Sequence, residues 1–242
     1  RRVLFRSTLG ARVTRDGVRF RCWAPRAEQV DVILEDRKTI HALSKQADGY
    51  WTGLIPEASA GVQYRYRLDG GQAYPDPCSR FQPEGPHGPS LIVDPDAYTW
   101  HDEEWPGVTM HGQVIYELHI GTFTPEGTFE AAIDRLDGLK ELGITAIEVM
   151  PLAEFPGRWN WGYDGVFPFA VQNTYGGPRS LQRLIDPHAP SIDIEHHPRA
   201  AQQPQVDVRD LDLAGEDRRG GLFLAVEHAR RTGKAEAFLA GN

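Results

Sequence analysis

The sequence predicts a multidomain protein in which a β-sandwich is followed by an α/β domain. In residues 8–96, short runs alternate apolar and polar side chains between turn signals, which is typical of paired strands. In residues 97–186, the pattern changes to apolar strand segments separated by an amphipathic helix. A length of 242 residues with 40% hydrophobic side chains suits one large domain or two ordinary ones.

The strands of the predicted sandwich follow from period-two alternation. The inward positions are Val18, Phe20 and Cys22, then Val30, Val32 and Leu34, and then Tyr64, Tyr66 and Leu68. The stretch DGYW at 48–51 indicates a hairpin, and Gly-Gly ends the last run. A Pro-rich segment at 74–95 predicts a packed crossover into the second domain. We expect Trp23 and Trp51 to belong to the core, because a Trp inside an alternating strand usually packs inward.

The second domain is predicted from a change of period. The segments are a strand at 113–120, a helix at 128–143, a strand at 144–151 and a helix at 177–186. Thr128 can cap the first helix and Gly143 suits its end, and its buried stripe is Phe129, Ile133, Leu136 and Leu139. This order opens either a doubly wound sheet or a (β/α) barrel, and the order alone does not choose between them.

The stretch FPGRWNWGYDGVFPF, at 155–169, predicts a loop rich in aromatic side chains. Trp159, Trp161 and Tyr163 occupy every second position among glycines, and Asp164 follows them directly. The stretch lies beyond the carboxyl end of the second predicted strand, which is where ligands bind in both architectures. We therefore predict that this loop lies at the functional edge of the domain.

Three motifs carry a resemblance to a known family. They are VIYELHIGTFTPEGTF, LKELGITAIEVMPLAEFPG and NWGYDGVFPFAVQNTYGGP, in this order behind the sandwich. They resemble the α-amylase superfamily of glycoside hydrolases and, within it, most closely the hydrolases that act on maltooligosyltrehalose. Branching and debranching enzymes share the same layout.

The resemblance implies a fold, a substrate and a reaction. Residues 8–96 would form an immunoglobulin-like, starch-binding-like module, and residues 97–186 would begin a (β/α)8 TIM barrel that is incomplete in this chain. The implied activity is retaining hydrolysis of the α-1,4 bond next to the trehalose end of maltooligosyltrehalose, an α-glucan. No cofactor is implied.

The resemblance also implies a sugar subsite in the aromatic loop. Tyr163 and Asp164 would bind the glucose that undergoes cleavage, while Trp159, Asn160 and Trp161 would shape the wall beside it. A glucose ring offers an apolar face to aromatic rings and hydroxyl groups to carboxylates and amides. For each Trp, the alternative is a structural role in packing the loop onto the domain.

Two carboxylates, Glu117 and Glu148, lie on neighbouring predicted strands and are candidates for a catalytic pair. Glu117 and Glu148 lie within their strands rather than past the carboxyl ends, however, and retaining glycosidases need two carboxylates about 5–5.5 Å apart at the site. We interpret both as hydrogen-bonding residues of a barrel interior, with His119 as a neighbour. His188, His196 and His197 are interpreted as loop residues and not as a metal site.

The end of the sequence departs from the resemblance. After Asp186 the family continues towards a third strand, whereas residues 187–242 match nothing recognised, and a frameshift or an artificial junction would explain them. The family's catalytic carboxylates come from later strands, so no catalytic residue is predicted and the chain itself is expected to be inactive. The alternative function is a non-catalytic α-glucan-binding module, or part of a branching or debranching enzyme.

Composition excludes several classes of partner. A formal net charge of -8 argues against general binding to nucleic acid or to anionic membranes. Cys22 and Cys78 are the only cysteines, and their spacing is not that of a metal site. No long apolar span or signal peptide is present, so we predict a cytoplasmic protein. Residues 1–7 fit no later pattern and are predicted to be an extraneous segment.

Overall fold

The structure is a computed structural model. It describes residues 8–101, 107, 109–161 and 163–186, together with the pairs 228–229 and 234–235. The predictions for residues 1–7, for nearly all of 187–242 and for His188, His196 and His197 lie outside the described residues. Within the described part, no helix has the length and apolar character that crossing a membrane requires.

The N-terminal module consists of two antiparallel sheets. The strands are β1 (Gly10–Thr14), β2 (Gly17–Trp23), β3 (Val30–Leu34), β4 (Thr39–Ala42), β5 (Ser44–Lys45), β6 (Tyr50–Ile55), β7 (Gln63–Leu68), β8 (Ala73–Tyr74) and β9 (Ser90–Leu91). One sheet has the order β1-β2-β6-β5 and the other has the order β4-β3-β7-β8, with β9 also paired to β7. Short 3₁₀ turns occupy Ala47–Gly49 and Pro95–Ala97.

The two sheets bury their facing side chains in one core. Phe20 of the first sheet contacts Tyr64 of the second edge to face, with ring centroids 5.0 Å apart. The predicted inward positions of β2, β3 and β7 supply half of the buried residues of this core, while Cys22 and Leu68 pack at its edge. The predicted β-sheet module is therefore confirmed.

Trp23 corrects the sequence prediction for the core. Trp51 is buried as expected, but Trp23 is 61% exposed. The reason lies in the alternation itself, because Val18 and Phe20 point inward and Trp23 shares the outward parity of Arg19 and Arg21.

The Pro-rich segment is packed, as predicted. It contains a buried acid, Asp76. Asp76 accepts hydrogen bonds from the Tyr64 hydroxyl at 2.5 Å and from the Cys78 backbone N–H at 2.8 Å. Burial raises the pKa of Asp76 to about 6 in spite of these donors. Gln82 and Ser90 are also buried in this segment.

The second part of the chain begins as an α/β structure. Its elements are β10 (Ile115–Leu118), α1 (Ile120–Phe123), α2 (Phe129–Ile133), α3 (Leu136–Glu141), β11 (Ala146–Val149), β12 (Ala153–Glu154), β13 (Phe167–Val171), a 3₁₀ turn (Asn173–Tyr175) and α4 (Gly177–Ile185). Strands β10 and β11 are parallel, and β12 and β13 are antiparallel. A further antiparallel pair joins β14 (His228–Ala229) to β15 (Lys234–Ala235).

Two predicted boundaries are wrong. The strand expected at 113–120 ends at Leu118, and Ile120 starts the short helix α1. The single helix expected at 128–143 is two helices, because a turn at Asp134 and Arg135 interrupts it, where the Arg135 N–H donates to the Ala132 carbonyl three residues back. Asp is a poor helix former, and the sequence places Asp134 at this turn.

The predicted ends of that helical region are correct. The Thr128 hydroxyl accepts a hydrogen bond from the Ala131 N–H, and Gly143 adopts a positive φ of 93° beyond α3. The parallel pair β10–β11 with helices between its strands is the unit that opens both a barrel and a doubly wound sheet. The complete barrel stays a prediction.

Candidate functional site

The aromatic loop connects β12 to β13 and exposes its rings to solvent. Trp159, Trp161 and Tyr163 are 67%, 80% and 56% exposed, and Asp164 is also exposed. Exposure of three large rings on one loop is costly unless a ligand or another surface covers them. A structural role as buried plugs does not fit these values for either Trp.

Gln172, which follows the loop, binds the backbone at the start of the loop. Its side chain is fully buried directly after β13. Its amide oxygen accepts from the Phe155 N–H at 3.0 Å, and its amide nitrogen donates to the Gly157 carbonyl at 3.1 Å. The same nitrogen donates to Thr174 Oγ1 at 3.0 Å. One side chain thus joins the two ends of the loop.

A buried carboxylate makes a second anchor beside the first. Both oxygens of Glu154 accept from Asn173 at 2.7 Å, one from its backbone N–H and the other from its side-chain amide. Burial raises the pKa of Glu154 to about 7, while the two donors from Asn173 act in the opposite direction. The segment before the loop is therefore fixed to the segment after it.

His119 attaches the middle of the loop to the carboxyl end of β10. Its Nε2 lies 2.6 Å from the Asn160 carbonyl, which can only accept, so Nε2 carries the proton and donates. The Tyr175 hydroxyl lies 3.3 Å from the same nitrogen. Since β10 and β11 are parallel, this contact holds the loop at the edge where their carboxyl ends meet.

Arg158 orients the first exposed ring. Its guanidinium carbon lies 5.3 Å from the centroid of Trp159, and its Nη2 donates to the Glu126 carbonyl at 3.3 Å. The loop therefore presents oriented aromatic surface and one exposed carboxylate, Asp164, on an anchored base. Such a set can cover the apolar face of a sugar and accept hydrogen bonds from its hydroxyl groups.

Glu117 and Glu148 are neighbours in register on β10 and β11. Glu117 is exposed and Glu148 is partly buried. Burial and then the charge of Glu117 raise the pKa of Glu148. His119 was expected beside these acids, but its recorded contacts are with Asn160, Tyr175 and Thr122.

Sequence reasoning missed Gln172, Glu154 and Asn173 as supports of the loop. The available signal was their polarity beside the apolar runs at 152–155 and 166–171, where a polar side chain must find a partner when buried. Among the described residues, no group of three or more His, Cys, Asp or Glu side chains could hold a metal ion.

Comparisons with known proteins agree with the two-part architecture. Residues 8–97 match the model of carbohydrate-binding module 48 (isoamylase N-terminal domain). Over 179 residues, the chain is 49% identical to the malto-oligosyltrehalose trehalohydrolase of Saccharolobus solfataricus, a match that covers 74% of this chain and 32% of the relative. The trehalohydrolase of Rhizobium sp. (strain M-11) is 45% identical over 184 residues, or 73% of this chain and 30% of the relative.

A solved structure gives the same result. A Salmonella typhimurium protein assigned as an alpha amylase matches with a TM-score of 0.71 and 43% identity over 75% of this chain and 31% of that one. The chain spans about a third of the length of the curated relatives it matches. The chain is therefore similar, over its described part, to proteins named as trehalohydrolases and as an alpha amylase. The predicted resemblance to malto-oligosyltrehalose trehalohydrolases is confirmed.

Proposed function

We propose that the chain is the N-terminal part of a glycoside hydrolase that releases trehalose from maltooligosyltrehalose. It would cleave the α-1,4 bond next to the trehalose end by a retaining mechanism. The aromatic loop would form the subsite of the glucose that undergoes cleavage, with Tyr163 and Asp164 on the sugar and Trp159, Asn160 and Trp161 around it. No catalytic residue is assigned among the described residues.

One observation carries this proposal: the exposed rings of the loop are held at the carboxyl ends of β10 and β11. His119 bonds the loop to β10, and Gln172 closes its base. The protein stabilises this exposed arrangement with buried polar groups, which is the pattern of a binding site on a rigid support. The similarity to trehalohydrolases supplies the substrate class.

The test is a chimera in which residues 8–186 replace the matching third of a trehalohydrolase relative. We expect trehalose release from maltooligosyltrehalose. Tyr163→Ala should lower kcat/KM about fivefold or more by removing a stacking face worth about 1 kcal/mol. Asp164→Asn should reduce mainly kcat, because its charged oxygens meet hydroxyl groups that move as the ring flattens in the transition state.

Val166→Ala is the matched control, because Val166 is 52% exposed on the same loop and offers no ring or charge. A thermal melt of each variant separates loss of site from loss of fold. If both site variants melt early yet keep kcat/KM in the folded fraction, the loop is structural and the proposed subsite is wrong. Transfer of glucan chains without trehalose release would instead indicate a branching enzyme.

A second candidate is a glucan-binding module without catalysis, as the match to carbohydrate-binding module 48 would allow. The two candidates differ in the chimera: an active enzyme supports the first, whereas binding of maltoheptaose with no hydrolysis supports the second.

A further inference from the structure

An aromatic ring of the Pro-rich segment, Phe81, contacts the start of α4. Gly177, the first residue of α4, is buried, and a Cβ placed on it would lie 2.7 Å from Phe81 Cζ and 2.8 Å from Phe81 Cε2. Gly177 also has a φ of 72°, so both the backbone angle and the close approach require glycine. The ring therefore lies directly against the backbone at this point.

The backbone of Phe81 belongs to the N-terminal module. Its carbonyl accepts hydrogen bonds from the Leu91 N–H of β9 and from Ser79 Oγ, both at 2.9 Å. Phe81 is half-buried and is not among the residues of the two apolar cores in the described part of the chain. Its ring thus bridges the module and the α/β segment.

A turn after Phe81 reaches one of the supports of the aromatic loop. The amide nitrogen of the buried Gln82 donates to the Gly88 carbonyl at 3.2 Å, and the Gly85 N–H donates to the Gln82 carbonyl at 3.1 Å. A Cβ on Gly85 would lie 3.9 Å from Asn173 Nδ2. The module therefore lies beside the side chain that binds Glu154.

The module also holds α4 through the connector, residues 97–101. Arg179 of α4 donates to the Ala97 carbonyl at 3.4 Å, and its guanidinium carbon lies 4.9 Å from the centroid of Tyr98. His101 Nδ1 lies 3.0 Å from an oxygen of the buried Asp186, at the end of α4. The start of α4 is thus fixed relative to the module.

We propose that Phe81 is a positioning residue for the aromatic loop, which it fixes through Gly177 and Asn173. The ring would set the position of residues 172–177, which carry both anchors of the loop, Gln172 and Asn173. A loop that is held in its binding geometry loses less conformational entropy when a sugar binds. This role rests on the proposed function, in which the loop binds the glucose that undergoes cleavage.

The first test is amide hydrogen exchange of the whole chain, resolved to single residues by mass spectrometry. The N–H groups of Phe155 and Asn173 donate to the side chains of Gln172 and Glu154, so their exchange rates report the two anchors directly. Phe81→Ala should raise both rates about fivefold or more. Unchanged rates would overturn the proposal.

Two references make this result specific. The Met150 N–H donates to the Leu118 carbonyl beside the β10–β11 pair, and its rate should stay within about twofold of the parent value. Glu84→Ala is the matched control, because the exposed Glu84 carboxylate binds Gln63 of the module. It should change none of these rates. If Phe81→Ala raises the Met150 rate as much as the anchor rates, the ring only stabilises the α/β segment, which overturns the proposal.

Phe81→Leu keeps the test decisive if Phe81→Ala does not fold. Leucine is apolar but lacks the outer ring atoms that meet Gly177, so it should raise the two anchor rates about threefold. Phe81→Met has a longer, flexible side chain that can reach Gly177, and its rates should lie closer to those of the parent chain. Parent-like anchor rates in Phe81→Leu would contradict the positioning role.

The chimera separates this inference from the proposed function. There, Phe81→Ala should raise KM for maltooligosyltrehalose about threefold or more and change kcat by less than about twofold, because a loosened loop must be ordered on binding. A purely structural role would lower Vmax and leave KM unchanged, which overturns the proposal. If Phe81→Ala loosens the anchors but the parent chimera releases no trehalose, the positioning of the loop stands and the proposed function is contradicted. An active chimera with unchanged anchor rates in Phe81→Ala contradicts the role of Phe81 only.

Discussion

The β-sandwich module and the α/β segment differ in how far their described residues satisfy their own hydrophobic patterns. In the module, Val18, Phe20 and Val30 are fully buried between two sheets. In the segment, β10 and β11 pair only with each other among the described residues, and Ile115 remains 46% exposed on β10. The module buries its apolar strand positions within about 90 residues. In the α/β segment, an apolar strand position such as Ile115 remains exposed among the described residues.

This difference shows which contacts stabilise each part of the chain. The core of the module forms between its own strands, because the antiparallel pairs β2–β6 and β3–β7 join distant parts of the module in its two sheets. Parallel strands need a crossover and further strands to cover them. Side chains of α2 and α4 share one core with Leu118 of β10 and Val149 of β11. An ion pair between Arg183 and Glu130 at 2.9 Å joins the two helices.

The largest test of this comparison is a pair of truncations in the two regions. Phe20→Ala should cost about 3–5 kcal/mol of unfolding free energy, because Phe20 is fully buried against Tyr64 and leaves a cavity. Ile115→Ala should cost less than about 1 kcal/mol, because half of the side chain already meets water. Urea unfolding of both variants and of the parent chain measures the two values.

The comparison is contradicted if Phe20→Ala and Ile115→Ala lower the unfolding free energy by the same amount. It would also fail if limited proteolysis cleaved the module before the α/β segment, since we expect residues 8–96 to survive longest. Leu54→Ala controls for truncation of an apolar side chain on a surface of the module.

How much of this could be predicted depends on the range of the contacts. Period-two alternation placed Val18, Phe20 and Val32 correctly, because burial on one face of a strand is a local rule. The same alternation predicts that Trp23 points outward. We placed Trp23 in the core because a Trp within a strand is usually buried. The alternation was the stronger signal.

The helix ends were predictable and the helix interior was not. Thr128 and Gly143 act through hydrogen bonds and backbone angles of a few neighbouring residues. The interruption at Asp134 and the early end of β10 depend on packing as well. A Cβ at Gly121 would meet Tyr175 Cε1 at 2.9 Å, so the chain after β10 is shaped by a residue more than fifty positions away.

The candidate site shows the same division. The aromatic loop was found from its own sequence, because repeated rings among glycines are a local signal. Its supports were not, because His119 and Asn160 are 41 positions apart and Glu154 and Asn173 are 19 apart. The sequence names these residues but does not show that they meet.

A second test uses the two buried acids, one in each region. Asp76 has a pKa raised to about 6 and Glu154 has one raised to about 7, in both cases chiefly by burial. A pKa raised on folding means that the unfolded state releases its proton first. The stability contributed by each group is therefore complete below its unfolded value near 4 and is lost as pH rises through the folded value.

We expect the unfolding free energy to fall by about 2 kcal/mol per acid between pH 4 and pH 7.5. Asp76→Asn should flatten the profile between pH 4 and 6, and Glu154→Gln should flatten it up to about pH 7. Calorimetry across this range measures both, with the exposed Asp16→Asn and Glu126→Gln as controls. If the two regions unfold separately, each substitution should change only one transition. A stability that rises with pH, and keeps rising in both variants, would contradict the assignment.

The last test concerns the support of the aromatic loop. Gln172→Ala leaves the buried Phe155 N–H without its partner and removes the hydrogen bond to the Gly157 carbonyl, which should cost about 1–3 kcal/mol. Gln72→Ala, at an exposed position of the module, should change the melt by less than about 0.5 kcal/mol. The decisive measurement is acrylamide quenching of Trp fluorescence in Gln172→Ala at a temperature where it is folded, together with its glycogen affinity. If Gln172 positions the loop, the rings should become more mobile, loop-dependent binding should weaken and the sandwich transition should stay unchanged. A lower melting temperature with unaltered quenching and binding would mean that Gln172 stabilises the α/β segment without setting the geometry of the rings.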